Sequence, residues 1–195
     1  MILTCFMANG QQGYQPGFLL KEQLDTVAGL VRYSGKESSP TPCLFKTDKA
    51  SEPRQVFPGT VHGFCTADGA YYFSRSIGNS ADVFLEVLVK GYMNLFKFGD
   101  IYFVEKGDSV FFELSNELDV IVTEGQRQQE VRSRNYTRML NLLLTDCPSV
   151  ALQVQKVKLK EKPLVNLVTA YNQCKGSPWQ TFRVKAKPAQ SRPKK

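Results

Sequence analysis

Residues 82–118 read DVFLEVLVKGYMNLFKFGDIYFVEKGDSVFFELSNEL, a succession of four short apolar runs separated by polar turns. The runs are rich in Val, Phe, Tyr and Leu, which fit the pleated, half-buried surface of a strand. Each break carries residues that favour tight turns, namely Lys90-Gly91, Gly99-Asp100 and Lys106-Gly107-Asp108. The stretch therefore predicts a tightly connected antiparallel meander.

The first run alternates in a way that predicts one strongly apolar face of this sheet. Successive side chains of a strand point to opposite sides, so Phe84, Glu86 and Leu88 share one side. The other side carries apolar residues only, namely Val83, Leu85, Val87 and Val89. Such a face must be covered in a folded domain, and we expect Leu85, Val87 and Val89 to belong to the core.

The segment before the meander predicts further strands separated by polar, glycine- or proline-containing connections. The predicted strands are Phe18 to Leu20, Thr26 to Tyr33, Cys43 to Lys46, Gln55 to Phe57, Val61 to Cys65, and Ala70 to Arg75. We expect these strands to fold over the meander within a β domain spanning residues 13–125. The predicted fold class is α+β: an antiparallel meander forming a partly closed barrel or sandwich, followed by three short C-terminal helices.

After the meander the apolar spacing becomes helical. Within residues 131–145 one stripe of an amphipathic helix is formed by Tyr136, Met139, Leu140, Leu143 and Leu144. Pro148 suits the first turn of a second helix, and a third is predicted from Pro163 to Lys175-Gly176. Such short helices are not stable alone, so we expect residues 126–176 to form a helical end packed on the sheet.

The net charge of +7 at pH 7 is concentrated at the C-terminal end. Residues 175–195 hold seven of the 25 Lys and Arg residues and no acidic residue, which leaves 18 basic residues against 18 acidic ones elsewhere. The body is therefore neutral, and we expect no nucleic-acid-binding face on it. We expect residues 177–195 to be a flexible basic tail that is dispensable for folding, because its few apolar groups cannot offset the loss of chain entropy.

The first ten residues, MILTCFMANG, are apolar, end in small residues and are followed by Gln11-Gln12. They resemble the back half of a secretory signal whose basic start lies upstream, although a first buried strand is an alternative. We favour a truncated signal over residues 1–12. No apolar run approaches the ~18 residues of a membrane-spanning helix, so we expect no transmembrane helix.

The cysteines predict one disulfide. Cys147 precedes the second predicted helix and Cys174 ends the third, so antiparallel packing of these helices would bring the two together. A bridge there would contribute ~3–4 kcal/mol on the chain-entropy model. Cys43 and Cys65 could form a second pair, but we expect free thiols. No Cys-x-x-Cys spacing occurs and the chain has a single histidine, so we predict neither a metal site nor a cofactor.

Several short pieces of the chain occur in the order of a known family pattern: Gly17-Phe18, Asp25-Thr26, Gly29, Val61-His62-Gly63-Phe64, FLEVLVKG at 84–91, Asn94-Leu95-Phe96, YFVEK at 102–106, LTDCP at 144–148 and YNQC at 171–174. In these pieces the chain resembles a family of uncharacterised exported β-rich proteins from Bacteroidetes-type bacteria. The likeness spans residues 17–174, and the basic tail lies outside it. Leu24 departs from the family, which usually has a turn glycine before Asp-Thr. The resemblance implies a periplasmic or outer-membrane-associated protein, and it carries no known activity or catalytic residue.

Catalytic residues are not singled out by any motif. His62 and Cys65 would face opposite sides of one strand, so a local dyad with Asp68 nearby is disfavoured. Glycosidases use a pair of carboxylates, and here no two carboxylates stand out. The candidates are Asp25, Glu86, Glu105, Asp108 and Glu113. We also find no glycine-rich phosphate-binding loop.

Aromatic side chains supply the remaining candidate site. Tyrosines bury much area at low entropy cost and could form a surface for sugars or other flat apolar ligands, although packing within the sheet is the simpler alternative. The candidates are Tyr71, Tyr72, Tyr92 and Tyr102. Our leading hypothesis is an exported, non-enzymatic module that binds an envelope partner or ligand or has a structural role. The alternatives are an envelope enzyme with an unrecognised site and a basic-tailed nucleic-acid-binding protein.

Overall fold

The computed structural model describes residues 13–21, 25–35, 41–77, 82–107, 110–122, 128–133 and 135–182. The strands are β1 (Gln15–Leu20), β2 (Thr26–Arg32), β3 (Cys43–Lys46), β4 (Arg54–Val56), β5 (Gly63–Thr66), β6 (Tyr71–Ser76), β7 (Asp82–Lys90), β8 (Met93–Phe98), β9 (Ile101–Lys106), β10 (Val110–Leu114), β11 (Glu117–Val122), β12 (Gln128–Ser133) and β13 (Gln180–Thr181). The helices are α1 (Asn135–Leu143), α2 (Pro148–Ala151) and α3 (Glu161–Cys174), with a 3-10 turn at Val154–Lys156.

Eleven of the described strands form one antiparallel sheet in the order β10-β9-β8-β7-β6-β5-β1-β2-β3-β4, with β13 added to β7. The strands β11 and β12 form a separate hairpin. Three helices follow the strands, which confirms the predicted α+β class, and the described strands do not close into a barrel. The described residues divide into two compact units, the first ending at Leu85 and the second beginning at Glu86.

The first unit is built around the predicted N-terminal hairpin. β1 pairs with β2 so that Leu20 lies opposite Thr26, and β1 also pairs with β5. Tyr33 packs edge-to-face against Phe64 and Phe84, with ring centroids 5.0 and 5.9 Å apart. The buried apolar core comprises Leu19, Val31, Cys43, Phe45, Val56, Phe64 and Phe84.

The second unit contains the rest of the meander, and its strand register sorts the side chains into two faces. Met93, Leu95, Tyr102, Val104 and Leu114 belong to the buried cluster that includes the helices. On the opposite face, Phe111 stacks on Phe103 at 5.3 Å and lies 6.1 Å from Phe96. The helices supply Tyr136, Leu140, Leu143, Leu144, Val150, Leu164, Val165, Leu167, Val168 and Tyr171 to the cluster. The helical end thus packs on one face of the meander. The N-terminal strands, predicted to fold over the meander, extend the same sheet.

β7 is more deeply buried than the alternation predicts. Leu85, Val87 and Val89 are buried, which confirms the predicted core positions. Phe84 and Leu88, assigned to the other side, are buried as well. The pairing with β8 shifts register between Val87 and Val89, an irregularity that strict alternation does not anticipate.

The structure corrects three predicted elements. Residues 128–133 form β12, so the helix expected from residue 131 begins only at Asn135. The second helix is one turn, α2, followed by the 3-10 turn. The third begins at Glu161, which places Pro163 inside its first turn, where the missing N–H has no helical partner in any case.

The predicted flexible tail is also wrong in its first part. Residues 180–181 form β13, in which Gln180 lies opposite Lys90. The Phe182 amide donates to the Leu88 carbonyl at 3.0 Å, and the Phe182 side chain is buried. Residues 183–195 lie outside the described residues.

Candidate ligand-binding groove

A groove lies between the β7–β8 turn and the segment that leads from α3 to β13. Two of its aromatic side chains are exposed, Tyr92 by 44% and Trp179 by 40%. Its volume is ≈ 470 Å³. The residues lining it are Lys90, Gly91, Tyr92, Ser177, Pro178, Trp179 and Gln180.

One buried side chain fixes the turn that carries Tyr92. The Asn172 side-chain amide donates to the Met93 carbonyl at 2.9 Å and accepts from the Met93 amide at 2.8 Å. Asn172 is fully buried on α3, so these two bonds join the helix to the first residue of β8. A Cβ on Gly91 would lie only 2.5 Å from the Asn172 amide nitrogen, so Gly91 is needed for this close approach. The turn is therefore held in place by α3.

The other wall begins at the C-terminus of α3. Gly176 has a φ of 61°, the left-handed conformation that ends many helices. The Ser177 amide then donates to the Asn172 carbonyl at 3.1 Å. Beyond Trp179, the pairing of β13 with β7 and the buried Phe182 anchor the segment. Trp179 is thus presented by a segment fixed at both ends.

A polar cluster, consisting of Lys106, Asp146, Tyr171 and Lys175, lies beside Tyr92. The Asp146 carboxylate accepts from the Tyr171 hydroxyl at 2.9 and 3.0 Å, from Lys106 at 3.3 Å and from Lys175 at 3.1 Å. Lys106 also donates to the Leu143 carbonyl at 2.6 Å. The polar cluster therefore ties β9 and the end of α1 to the end of α3.

The polar cluster reaches the groove through Lys175. The Lys175 ammonium lies 5.5 Å from the centroid of the Tyr92 ring. The centroids of the Tyr92 and Tyr171 rings are 6.2 Å apart. Both distances suit attractive cation–π and aromatic contacts. Lys175 therefore brings a positive charge over an exposed aromatic ring.

The cluster's hydrogen bonds shift the pKa values of its members. Burial opposes ionisation of Asp146, but bonds from Tyr171, Lys175 and Lys106 outweigh it and lower its pKa from 3.8 to about 2. Burial raises the pKa of Tyr171 most, and the hydrogen bond to Asp146 raises it further. The bond to Asp146 raises the pKa of Lys175. Near neutral pH Asp146 is therefore a carboxylate, Lys175 an ammonium group and Tyr171 a neutral phenol.

The predicted disulfide underlies this arrangement. Cys147 and Cys174 are bridged, with Cα atoms 6.5 Å apart. Asp146 precedes one half-cystine and Lys175 follows the other, so the bridge brings the two members of the ion pair together. Cys43 and Cys65 are free and buried, as expected.

The four candidate tyrosines do not form one surface. Only Tyr92 lies in the groove and is well exposed. Tyr72 stacks on Phe64 at 4.7 Å, and Tyr71 is half-buried beside Cys65. Tyr102 is buried in the helix-facing cluster, opposite Lys97 and at the far end of the β8–β9 hairpin from Tyr92. Packing within each unit explains these other three.

The thiols are poorly suited to nucleophilic chemistry. Burial raises the pKa of Cys43 to about 12 and also raises the pKa of Cys65. A thiol with a raised pKa is protonated at neutral pH, and the thiolate is the reactive form. His62 is exposed and precedes β5, while Cys65 is buried within it.

The candidate carboxylates are mostly dispersed. Asp25 lies in the first unit, Glu86 lies opposite Lys97, and Asp108 is outside the described residues. Glu105 and Glu113 share one face of β9 and β10 at diagonal positions, but Glu105 accepts a 2.7 Å bond from Asn94. Within the described part of the chain, no group of three or more His, Cys, Asp or Glu side chains could hold a metal ion.

Two further grooves lack exposed aromatic rings in their linings. One in the first unit is bordered by Lys21, Asp25 and Arg54, and one beside α3 is bordered by Leu152, Lys156 and Pro163. The groove formed by Tyr92 and Trp179 is therefore the better candidate for recognising a flat ligand.

Sequence reasoning missed Trp179, Asn172, Asp146 and Lys175. A usable signal existed for two of them, because Asp146 and Lys175 directly flank the predicted half-cystines. Trp179 falls within the predicted tail because its neighbours are polar or proline. Asn172 gives no local signal, since its partner Met93 is 79 residues away.

Comparison with known proteins gives no match: no family model, no curated protein sequence and no solved structure matches this chain.

Proposed function

We propose that this chain is an exported, non-enzymatic binding module whose ligand site is the groove formed by Tyr92 and Trp179. The observation that carries the proposal is the pair of exposed aromatic rings lining one groove. Single exposed apolar side chains are ordinary on protein surfaces. One large ring on each wall of the groove offers a flat ligand apolar contact on both of its sides.

The rigidity of both walls supports binding rather than accidental exposure. Asn172 holds the turn before β8 through two buried hydrogen bonds, and β13 holds the opposite segment. A preformed site loses little conformational entropy when a ligand binds, so more of the contact energy appears as affinity. The hydrogen bonds and strand pairing that hold the two walls favour such a preformed groove.

Export is supported by the disulfide. Bridges such as Cys147–Cys174 persist in oxidising compartments and are rare where thiols are kept reduced. None of the described helices is long and apolar enough to span a bilayer. Alkylation of thiols before cell lysis tests the proposal: a bridged protein in the periplasmic or outer-membrane fraction supports it, whereas reduced protein in the cytoplasmic fraction contradicts it.

The binding site is tested by a glycan and envelope-peptide screen on the full chain. Any ligand recovered is titrated against Tyr92→Ala and Trp179→Ala, each of which we expect to weaken binding by about tenfold or more, since stacking on one ring contributes ~1–3 kcal/mol. Phe57→Ala is the matched control because Phe57 is an exposed ring in the first unit. Equal affinity for all four proteins would place the ligand elsewhere.

A further inference from the structure

The charged side chains that line the groove or lie over its Tyr92 ring are both lysines. Lys90 lines the groove and Lys175 lies over the Tyr92 ring, while the other polar lining side chains are the neutral Ser177 and Gln180. Among the described residues, no carboxylate lines this groove. Its chemistry therefore combines flat apolar surface, neutral hydrogen-bonding groups and positive charge.

The nearby carboxylate does not cancel this charge. Asp146 is shared by Lys106, Lys175 and the Tyr171 hydroxyl, so one negative charge faces two positive ones. An ammonium group has three donors. In the described part of the chain, Asp146 is the sole ion-pair partner of Lys175, which leaves donor capacity at the rim of the groove. The side chain of Lys175 is 28% exposed, so a ligand can reach it.

We infer that the groove recognises an acidic saccharide, with sugar rings packed on Tyr92 and Trp179 and a carboxylate bound by Lys175. This inference rests on the proposed function and adds the chemical class of the ligand. A pyranose ring has an apolar face that suits an aromatic ring, and its hydroxyl groups suit Ser177 and Gln180. A carboxylate at the ring edge meets the Lys175 ammonium in a charge-assisted hydrogen bond.

Single-stranded nucleic acid is the competing anionic ligand, and the groove fits it less well. Such ligands need a basic track that follows several phosphates as well as stacking rings. The groove offers one lining lysine and one at the rim over a volume of ≈ 470 Å³. That size and charge match a short acidic oligosaccharide better than a strand of nucleotides.

The test uses trigalacturonic acid and its methyl ester, which keeps the rings and removes the charge. Calorimetry on the full-length oxidised protein should show the acid binding about tenfold more tightly than the ester, the ratio expected for one charge-assisted hydrogen bond. Lys175→Gln should remove this preference by weakening acid binding about tenfold while changing ester binding less than twofold. Lys175→Arg should keep most of the preference for the acid because the positive charge is kept. Lys158→Gln, at an exposed lysine after the 3-10 turn, is the matched control and should change neither affinity.

Every other outcome overturns the inference in a distinguishable way. Equal binding of acid and ester, both lost in Tyr92→Ala, would refute the acidic class and leave the groove as the site. Binding of trigalacturonic acid that is unaffected by Tyr92→Ala would refute the groove as the binding site as well. Tighter binding of octathymidylate than of the trisaccharide would identify a nucleic-acid ligand instead. Failure of both saccharides to bind would refute a saccharide ligand of this kind, and the screen above would then decide the proposed function separately.

Discussion

Asn172 holds the turn that carries Tyr92. Replacing it should destabilise the second unit more than replacing any other polar side chain that supports the groove. The side chain is fully buried and makes two hydrogen bonds to the Met93 backbone, at 2.8 and 2.9 Å. Asn172→Ala would leave the Met93 amide and carbonyl without these partners. A buried polar group left unsatisfied costs ~1–3 kcal/mol, so we expect a loss of about 2–6 kcal/mol.

Gly91 provides the second half of the experiment. A Cβ at Gly91 would lie 2.5 Å from the Asn172 amide nitrogen and 2.8 Å from its side-chain carbon. Two hydrogen bonds hold that amide in place, so Gly91→Ala should cost ~1–3 kcal/mol, as is usual for overpacking. When Asn172 is already alanine, the collision is gone and the second substitution should cost far less. We therefore expect a double-mutant cycle that is less than additive by about 1 kcal/mol or more.

Urea unfolding of the oxidised protein measures these effects. Trp179 is the single tryptophan and lies in the second unit, so its fluorescence reports on the relevant structure. Asn166→Ala is the matched control, since Asn166 is exposed on the same helix, and it should change the free energy of unfolding by less than ~0.5 kcal/mol. Additive losses at Gly91 and Asn172, or an Asn172→Ala variant as stable as the control, would refute the proposed support of the turn.

The remaining predictions concern the stability of the rest of the fold. Leu85→Ala should cost ~2–5 kcal/mol in chemical unfolding because Leu85 is fully buried; a loss below 1 kcal/mol would contradict its place in the core. Cys147→Ser should lower stability by ~3–4 kcal/mol on the chain-entropy model, and an unchanged unfolding midpoint would show that the bridge adds nothing. Deleting residues 177–195 should cost ~1.5–3 kcal/mol, or several degrees in melting temperature, because the buried Phe182 side chain is lost; a melting temperature unchanged within error would show that the tail is dispensable for folding. The pKa of Asp146 is lowered on folding, so its contribution to the free energy of unfolding is present above pH 4 and is lost as the pH falls from about 4 to 2. Acid titration should therefore destabilise the wild type more than Asp146→Asn, and parallel stability curves for the two proteins would exclude this role of Asp146.

The sheet was largely predictable because its signals are local. Glycine-containing turns divide residues 82–114 into strands of few residues, and short-range alternation then determines their type. The disulfide was predictable for a related reason, since helix ends place Cys147 and Cys174 at facing positions. In both cases neighbouring residues carry the information.

The errors occur where an element is determined by its partner and not by its own sequence pattern. Residues 128–133, QQEVRS, have no apolar alternation and form a strand because β11 pairs with them. The two-residue β13 has no strand signal of its own and depends on β7. Likewise, the groove depends on Asn172 reaching Met93 across 79 residues, which no local pattern reveals. The sequence therefore indicated Tyr92 as one of four candidate tyrosines but not Trp179 as its partner in the groove.

The most direct test of the groove is the fluorescence of Trp179 during ligand titration. Because it is the only tryptophan in the chain and lines the groove, we expect a ligand bound there to alter its emission. With trigalacturonic acid as the probe, we predict a saturable change in emission whose dissociation constant equals the calorimetric value, and we predict its loss in Tyr92→Ala. Calorimetric binding of the probe that leaves Trp179 emission unchanged would contradict the central claim that this groove is the binding site.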